Sequence, residues 1–205
     1  MNIITEMEQG TDEWLALRLG KITASRMKEL LSKGRGTAPS KTAESYMFDL
    51  IAEKLTGKPK DFFMNDAMQW GVDTEESARA MYELKHGVDV VEVAFIELDE
   101  NVGMSPDGLV GDDGLLEIKC PNTTTQLKRA LTDNYSKDYY AQIQMQLWVS
   151  DRQWCDFVSY DPRLECDASY LEQRVLRDED FIEDMKAKTE KFIVDMNEIL
   201  NKLKG

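Results

Sequence analysis

The spacing of apolar residues is helical through the first part of the chain. Thr11 precedes two acidic residues and an apolar run, a pattern typical of the start of a helix. Apolar positions recur at helical spacing over 23–31, 41–55 and 68–85. The intervening segment 32–40 is rich in Gly, Ser and Lys/Arg, and it predicts a basic loop between two helices.

The pattern then changes to short runs of Val, Ile, Leu and aromatic residues, which predict strands. Five segments have this character: 88–97, 103–110, 115–120, 154–160 and 170–176. The turn residues Gly111-Asp112-Asp113-Gly114 separate the second segment from the third and predict a β-hairpin.

Helical spacing returns over 135–149 and over 181–203, the latter as a long amphipathic helix. Helices, then about five strands, then a helix predict an α/β fold in which helices flank a central mixed β-sheet. The chain contains no internal repeat, low-complexity segment or long linker, so residues 1–205 are predicted to form a single domain.

Composition is that of a globular protein, with 42% hydrophobic and 31% charged residues. No apolar run approaches the roughly 20 residues that span a bilayer, and the N-terminus lacks the pattern of a signal peptide, so a cytoplasmic protein is expected. The three cysteines are widely spaced, which disfavours a zinc or iron–sulfur site and predicts reduced thiols.

The net charge of −14 at first argues against a nucleic-acid partner. Its distribution is uneven, because residues 18–60 carry ten Lys/Arg against four Asp/Glu, a net +6 that leaves −20 on the remainder. Such a chain can hold DNA on one local surface. Ordinary solvated helix faces are the alternative explanation.

Two acids and a lysine stand at the predicted hairpin. Asp107 precedes the turn, and Glu117 and Lys119 project from one face of the following strand because side chains alternate. Carboxylates of this kind suit Mg²⁺, which can activate water and polarise a phosphodiester. A solvated hairpin edge is the alternative, but the apolar neighbours favour a metal ion, because an uncompensated carboxylate is costly there.

These residues and their surroundings resemble the lambda-exonuclease, or YqaJ-type viral recombinase, branch of the PD-(D/E)xK nuclease superfamily. The resemblance rests on four segments in order: 14–25, 70–75, 105–108 with 116–121, and 140–148. It implies a restriction-endonuclease-like core within the predicted α/β fold.

The resemblance also implies roles for individual residues at the metal. Asp107, Glu117 and the backbone carbonyl of Ile118 match metal ligands, and Lys119 matches the catalytic lysine. Glu75 matches an acid on a helix that reaches the metal or its water. Two Mg²⁺ ions are expected, and Mn²⁺ can substitute for them.

Five further residues match positions that contact DNA. Arg18 matches an arginine that receives the 5′-terminal phosphate, a task that suits the planar guanidinium, and Ser25 belongs to the same pocket. Arg35, in the basic loop, resembles an arginine that reaches into the duplex. Gln144, with Gln142 nearby, matches a glutamine close to the scissile bond, although Trp148 stands where other branches have tyrosine.

The function implied is a Mg²⁺-dependent, ATP-independent, processive 5′→3′ exonuclease that leaves 3′ overhangs on double-stranded DNA for phage-type recombination. The family implies a homotrimeric ring, a single-strand annealing protein as partner, and a phage or prophage origin within a bacterial cell. An endonuclease or nickase using the same metal site is an alternative, and a non-catalytic DNA-end-binding scaffold is another.

Overall fold

A computed structural model describes residues 1–34, 40–60, 65–132, 134 and 136–205. Its helices are α1 Asp12–Arg18, α2 Met27–Leu30, α3 Lys41–Thr56, α4 Asp66–His86, α5 Thr123–Ala130, α6 Tyr140–Ser150 and α7 Glu179–Lys204. Its strands are β1 Asn2–Ile4, β2 Ile22–Thr23, β3 Val90–Val91, β4 Phe95–Glu97, β5 Val102–Met104, β6 Gly108–Val110, β7 Gly114–Lys119, β8 Trp154–Tyr160 and β9 Tyr170–Leu176. None of the helices in these ranges is both long and apolar enough to cross a membrane.

A five-stranded mixed sheet forms the centre of the fold, in the order β3-β6-β7-β8-β9. The central strands β7 and β8 are parallel, and the other pairs in this sheet are antiparallel. Helix α4 packs on β7 and helix α6 packs on β8. The predicted α/β fold with a central mixed sheet flanked by helices is therefore confirmed, and β6 and β7 form the predicted hairpin.

A second sheet of four short strands, in the order β1-β4-β5-β2, was not predicted. It arises because two of the predicted strands divide. Segment 88–97 contributes β3 to the central sheet and β4 to the second, and segment 103–110 divides in the same way into β5 and β6. Pro106 lies at the second break, where its missing N–H cannot join a ladder. The break places 105–107 between the two sheets.

Helix α5 was also missing from the prediction, and the helix predicted over 135–149 begins only at Tyr140. The first turn of α5 is three threonines, which have low helix propensity. A local cap and a tertiary contact compensate for this, since Asn122 Oδ1 accepts from the Thr125 N–H at 2.8 Å and the buried Gln126 amide donates to the Ser159 carbonyl at 2.9 Å.

The central sheet separates two groups of buried apolar side chains. On one face, Leu115 and Phe157 belong to a large cluster with residues of α3, α6 and α7. On the other face, Leu116, Ile118 and Val158 form a smaller cluster with residues of α4. The alternation of side chains along β7 therefore directs its odd-numbered residues toward α6.

Candidate active site

Asp107, Glu117 and Lys119 come together at the junction of the two sheets. Glu117 and Lys119 lie two residues apart on β7, on the face that packs toward α6. Asp107 immediately precedes β6, and its Oδ2 accepts a hydrogen bond of 2.6 Å from the backbone N–H of Ile118. This bond holds the Asp107 carboxylate beside the side chains of Glu117 and Lys119, and the three residues lie together as the sequence predicted.

The ammonium of Lys119 bridges the two acids. It forms an ion pair with Glu117 Oε1, lies 3.8 Å from Asp107 Oδ2, and donates to the Ile118 carbonyl at 2.9 Å. Burial disfavours the charged ammonium, but the two carboxylates, Glu117 foremost, outweigh this effect and raise the pKa of Lys119 above its ordinary value. The lysine is therefore the cation that compensates this acidic centre.

Glu117 is fully buried within the fold. Besides Lys119, two side-chain amides donate to it: Gln142 Nε2 lies 2.5 Å from Oε1, and Gln146 Nε2 lies 2.7 Å from Oε2. A carboxylate out of contact with water is tolerated only when such donors replace its hydration. Both of its oxygens are consequently held in a defined orientation.

Asp107 is less completely compensated than Glu117. Burial, together with the nearby carboxylates of Glu117 and Glu75, raises the pKa of Asp107 well above its ordinary value, in spite of Lys119 and the bond from Ile118. Two acids in one desolvated place repel each other, and a multivalent cation would relieve that repulsion.

Glu75 approaches this centre from helix α4. Burial also raises the pKa of the Glu75 carboxyl, and Lys119 and Glu117 are among the charges that act on it. Its Oε1 accepts a bond of 3.2 Å from Arg79, one turn further along the helix. The structure thus brings Glu75 into electrostatic range of Asp107, Glu117 and Lys119, while its role at the metal or its water stays a prediction.

The donor set fits a hard divalent cation. In the described part of the chain, no three acidic, His or Cys side chains converge as ligands, so Glu75 does not complete a set with Asp107 and Glu117. What remains is two carboxylates and the Ile118 carbonyl. Mg²⁺ is commonly held by one or two carboxylates while water and substrate phosphate fill its other positions, and this set matches that preference.

A cavity of about 180 Å³ adjoins the acids, and Arg18 and Ser25, the residues predicted to receive the 5′-phosphate, line it. Arg18 Nη1 donates to Ser105 Oγ at 3.1 Å, and its guanidinium stacks over Trp14 at 4.2 Å from the ring centroid. Ser25 lines the same cavity, together with Asp107, Glu117, Lys119 and Gln142. Arg35 lies outside the described residues.

The electrostatic state of Arg18 suits an anion. Burial lowers the pKa of its guanidinium from the ordinary value, and no acidic side chain of the described ranges forms an ion pair with it. A buried guanidinium that lines a cavity and forms no ion pair with a described residue is suited to bind a phosphate group.

Gln142 and Gln144 lie on different sides of α6, so the prediction that Gln144 lies close to the scissile bond needs correction. Gln142 reaches Glu117, whereas Gln144 is fully buried elsewhere, donating to the Leu176 carbonyl at 2.8 Å and accepting from the Asp178 N–H at 2.9 Å. Residues four apart share a helix face and residues two apart do not. Gln146, which the sequence reasoning missed, is the residue that this spacing pairs with Gln142.

The net positive segment 18–60 is less available to DNA than its charge suggested. Lys21 pairs with Glu97 at 2.8 Å, and Arg26 pairs with Asp49 at 2.8 Å. Part of the positive charge is therefore used within the fold, in ion pairs that neither the DNA-binding interpretation nor the alternative of solvated helix faces predicted.

Comparison with known proteins identifies the relatives of this chain. Residues 13–153 match the model of the YqaJ-like viral recombinase domain. An alkaline exonuclease (LHK-Exo) from Laribacter hongkongensis is 41% identical, with a TM-score of 0.87 over 95% of this chain and 96% of that chain, and it has also been solved in complex with dAMP.

Two more distant proteins are also similar. A phage-related exonuclease from Haemophilus somnus 129PT has a TM-score of 0.73 at 16% identity over 89% of this chain and 96% of that chain, a likeness of fold. The uncharacterized protein R354 of Acanthamoeba polyphaga mimivirus is 25% identical over 173 residues, 76% of this chain. The chain spans only 29% of that protein's length.

Substitution of Asp107 tests the electrostatic description of the site. Because the folded chain holds the Asp107 proton to a higher pH than the unfolded chain does, ionising this group costs stability as the pH rises above about 4. We expect Asp107→Asn to melt about 2–4 °C above the wild type at pH 7.5, the shift that about 1 kcal/mol produces in a domain of this size. The difference should disappear near pH 4.

The measurement is thermal unfolding in EDTA across pH 4–8. Asp112→Asn, in the exposed turn of the hairpin, is the matched control and should change the melting temperature little at any pH. If the Asp107 and Asp112 variants gave the same pH profile, the repulsion assigned to Asp107 would be wrong.

Proposed function

The chain belongs to the YqaJ-like viral recombinase domain family, and we propose that it is a Mg²⁺-dependent exonuclease that digests one strand of double-stranded DNA from its 5′ end. The observation that carries the proposal is the shared cavity, in which Asp107, Glu117 and Lys119 stand beside the Arg18 guanidinium. In this proposal the centre for phosphodiester hydrolysis and the site for a terminal phosphate adjoin each other.

Asp107, Glu117 and the carbonyl of Ile118 are the proposed ligands of Mg²⁺, with two ions expected and Mn²⁺ as a substitute. Bound metal would polarise the scissile phosphate and lower the pKa of a water molecule. Glu75, in electrostatic range but outside the ligand set, is suited to hold such a water by hydrogen bonding.

Lys119 acts on the phosphate or on the attacking water. Its ammonium already lies between the two acidic ligands, and it is positioned to orient the water and to neutralise charge that develops on the phosphate. Gln142 lines the cavity while donating to Glu117, so its amide both orients a ligand and borders the substrate.

Arg18 and Ser25 give the reaction its direction in this proposal. With the 5′-phosphate held by Arg18, the phosphodiester that reaches the metal is close to the 5′ terminus. Hydrolysis there releases a short 5′-phosphorylated product and leaves the complementary strand as a 3′ overhang. The complex of the Laribacter hongkongensis enzyme with dAMP supports a deoxynucleoside monophosphate as that product.

The test of this function is digestion of a linear duplex that carries one 5′-phosphate end and one 5′-hydroxyl end. With Mg²⁺ we expect faster digestion from the phosphorylated end, release of mononucleotides and no reaction in EDTA. Glu117→Gln should slow digestion more than about 100-fold, since even the outer partners of metal ligands are each worth about 10–100-fold. Cleavage of a closed circular duplex at a similar rate would indicate an endonuclease instead.

Arg18→Ala separates recognition of the end from the chemistry. A hydrogen-bonded charge is worth about 1.5–3 kcal/mol, so we expect the preference for the phosphorylated end to fall about 10–100-fold while the 5′-hydroxyl end reacts nearly as before. Lys21→Ala, in the same segment but paired with Glu97, is the control and should keep the preference. Equal losses on both ends in Arg18→Ala would exclude the phosphate pocket.

We also propose that the working form is a homotrimeric ring on double-stranded DNA, with a single-strand annealing protein receiving the 3′ overhang. A chain with a net charge of −14 repels DNA from most of its surface. A closed ring can turn the cations of 18–60 that are not paired internally toward one channel. Such a ring stays on its substrate between cleavages without ATP, as a phage recombination enzyme requires.

Light scattering at micromolar concentration tests the assembly. We expect a particle of three times the 23.5 kDa of one chain, and long tracts of digestion in the presence of trapping DNA. A monomer that digests with equal processivity would contradict the ring and leave the assignment of the active site unaffected.

A further inference from the structure

Gln146 is a buried residue whose side-chain amide donates a hydrogen bond to Glu117. It is fully buried on α6, away from the cavity, and its Nε2 donates to Glu117 Oε2 at 2.7 Å. The helix directs Gln142 and Gln146 to the same carboxylate because they lie four residues apart.

The other end of the Gln146 amide accepts no hydrogen bond from any residue that the structure describes. Its Oε1 is buried without a partner in the described part of the chain, a situation that costs free energy and is uncommon in folded proteins. An apolar side chain of similar length would fill the space without that cost. Packing alone therefore does not favour a glutamine at this position, whereas the donor to Glu117 does.

The two oxygens of Glu117 have different surroundings. Oε1 meets Lys119 and the cavity-lining Gln142, and Oε2 meets Gln146 on the buried side. A hydrogen bond on the buried oxygen fixes the rotation of the carboxylate, so that Oε1 is the oxygen presented at the cavity.

We propose that Gln146 is a positioning residue that sets the affinity of this site for a divalent metal ion. It does so by holding the Glu117 carboxylate in its ligating orientation, without touching the metal or the DNA. The inference rests on the metal site of the proposed function, and it adds a residue that determines how well that site is formed before the metal arrives.

Calorimetric titration of Mn²⁺ into the 205-residue chain, after treatment with EDTA and removal of the chelator, tests the inference without DNA. We expect Gln146→Met to weaken binding about 10–100-fold, the usual effect of losing a hydrogen bond to a metal ligand. Gln144→Met is the matched control, because Gln144 is an equally buried glutamine on the same helix with its own hydrogen bonds elsewhere. It should lower the melting temperature yet keep the Mn²⁺ affinity within about twofold.

NMR spectra of wild-type protein with ¹⁵N-labelled glutamine side chains provide a measurement that does not depend on the folding of a variant. Saturation with Mg²⁺ should shift the side-chain amide signals of Gln146 and leave those of Gln144 in place. Unchanged Gln146 signals, or equal affinities of the Gln146 and Gln144 variants, would overturn the inference while the metal site stands. Failure of the wild type itself to bind Mn²⁺ would instead overturn the metal site of the proposed function.

Discussion

A carboxylate buried in the interior of a protein must be matched by donors or by cations, and Glu117 imposes that requirement here. Lys119 from the same strand and two amides from α6 meet it together. Their arrangement leaves Asp107, the neighbouring acid, only partly compensated, with a raised pKa. The centre thus combines one carboxylate that is held in place with a second that is only partly compensated, an arrangement that favours the uptake of a divalent cation.

The break between β5 and β6 at 105–107 places Asp107 beside the cavity at the junction of the two sheets. Pro106 ends the ladder between β5 and β6, and the adjoining side chains face different partners. Ser105 receives hydrogen bonds from Trp14 and Arg18, while Asp107 receives one from Ile118. Three consecutive residues therefore connect Trp14 and Arg18 to the acidic centre.

Much of this centre was predictable because it depends on local periodicity. The turn at 111–114 and the alternation along β7 sufficed to place Glu117 and Lys119 on one face near Asp107. The second sheet was not predictable, since strands of two or three residues carry no recognisable period. The placement of Gln144 was wrong for a related reason: the helical period puts Gln144 and Gln146 on different faces of a helix, but only packing decides which face meets Glu117.

Location of the metal tests the central claim most directly. Crystals grown with Mn²⁺ should give an anomalous difference peak about 2 Å from carboxylate oxygens of both Asp107 and Glu117, and Glu117→Gln crystals should lose it. An anomalous peak only elsewhere in the chain, or no peak at Mn²⁺ concentrations that support digestion, would contradict the assignment of the active site.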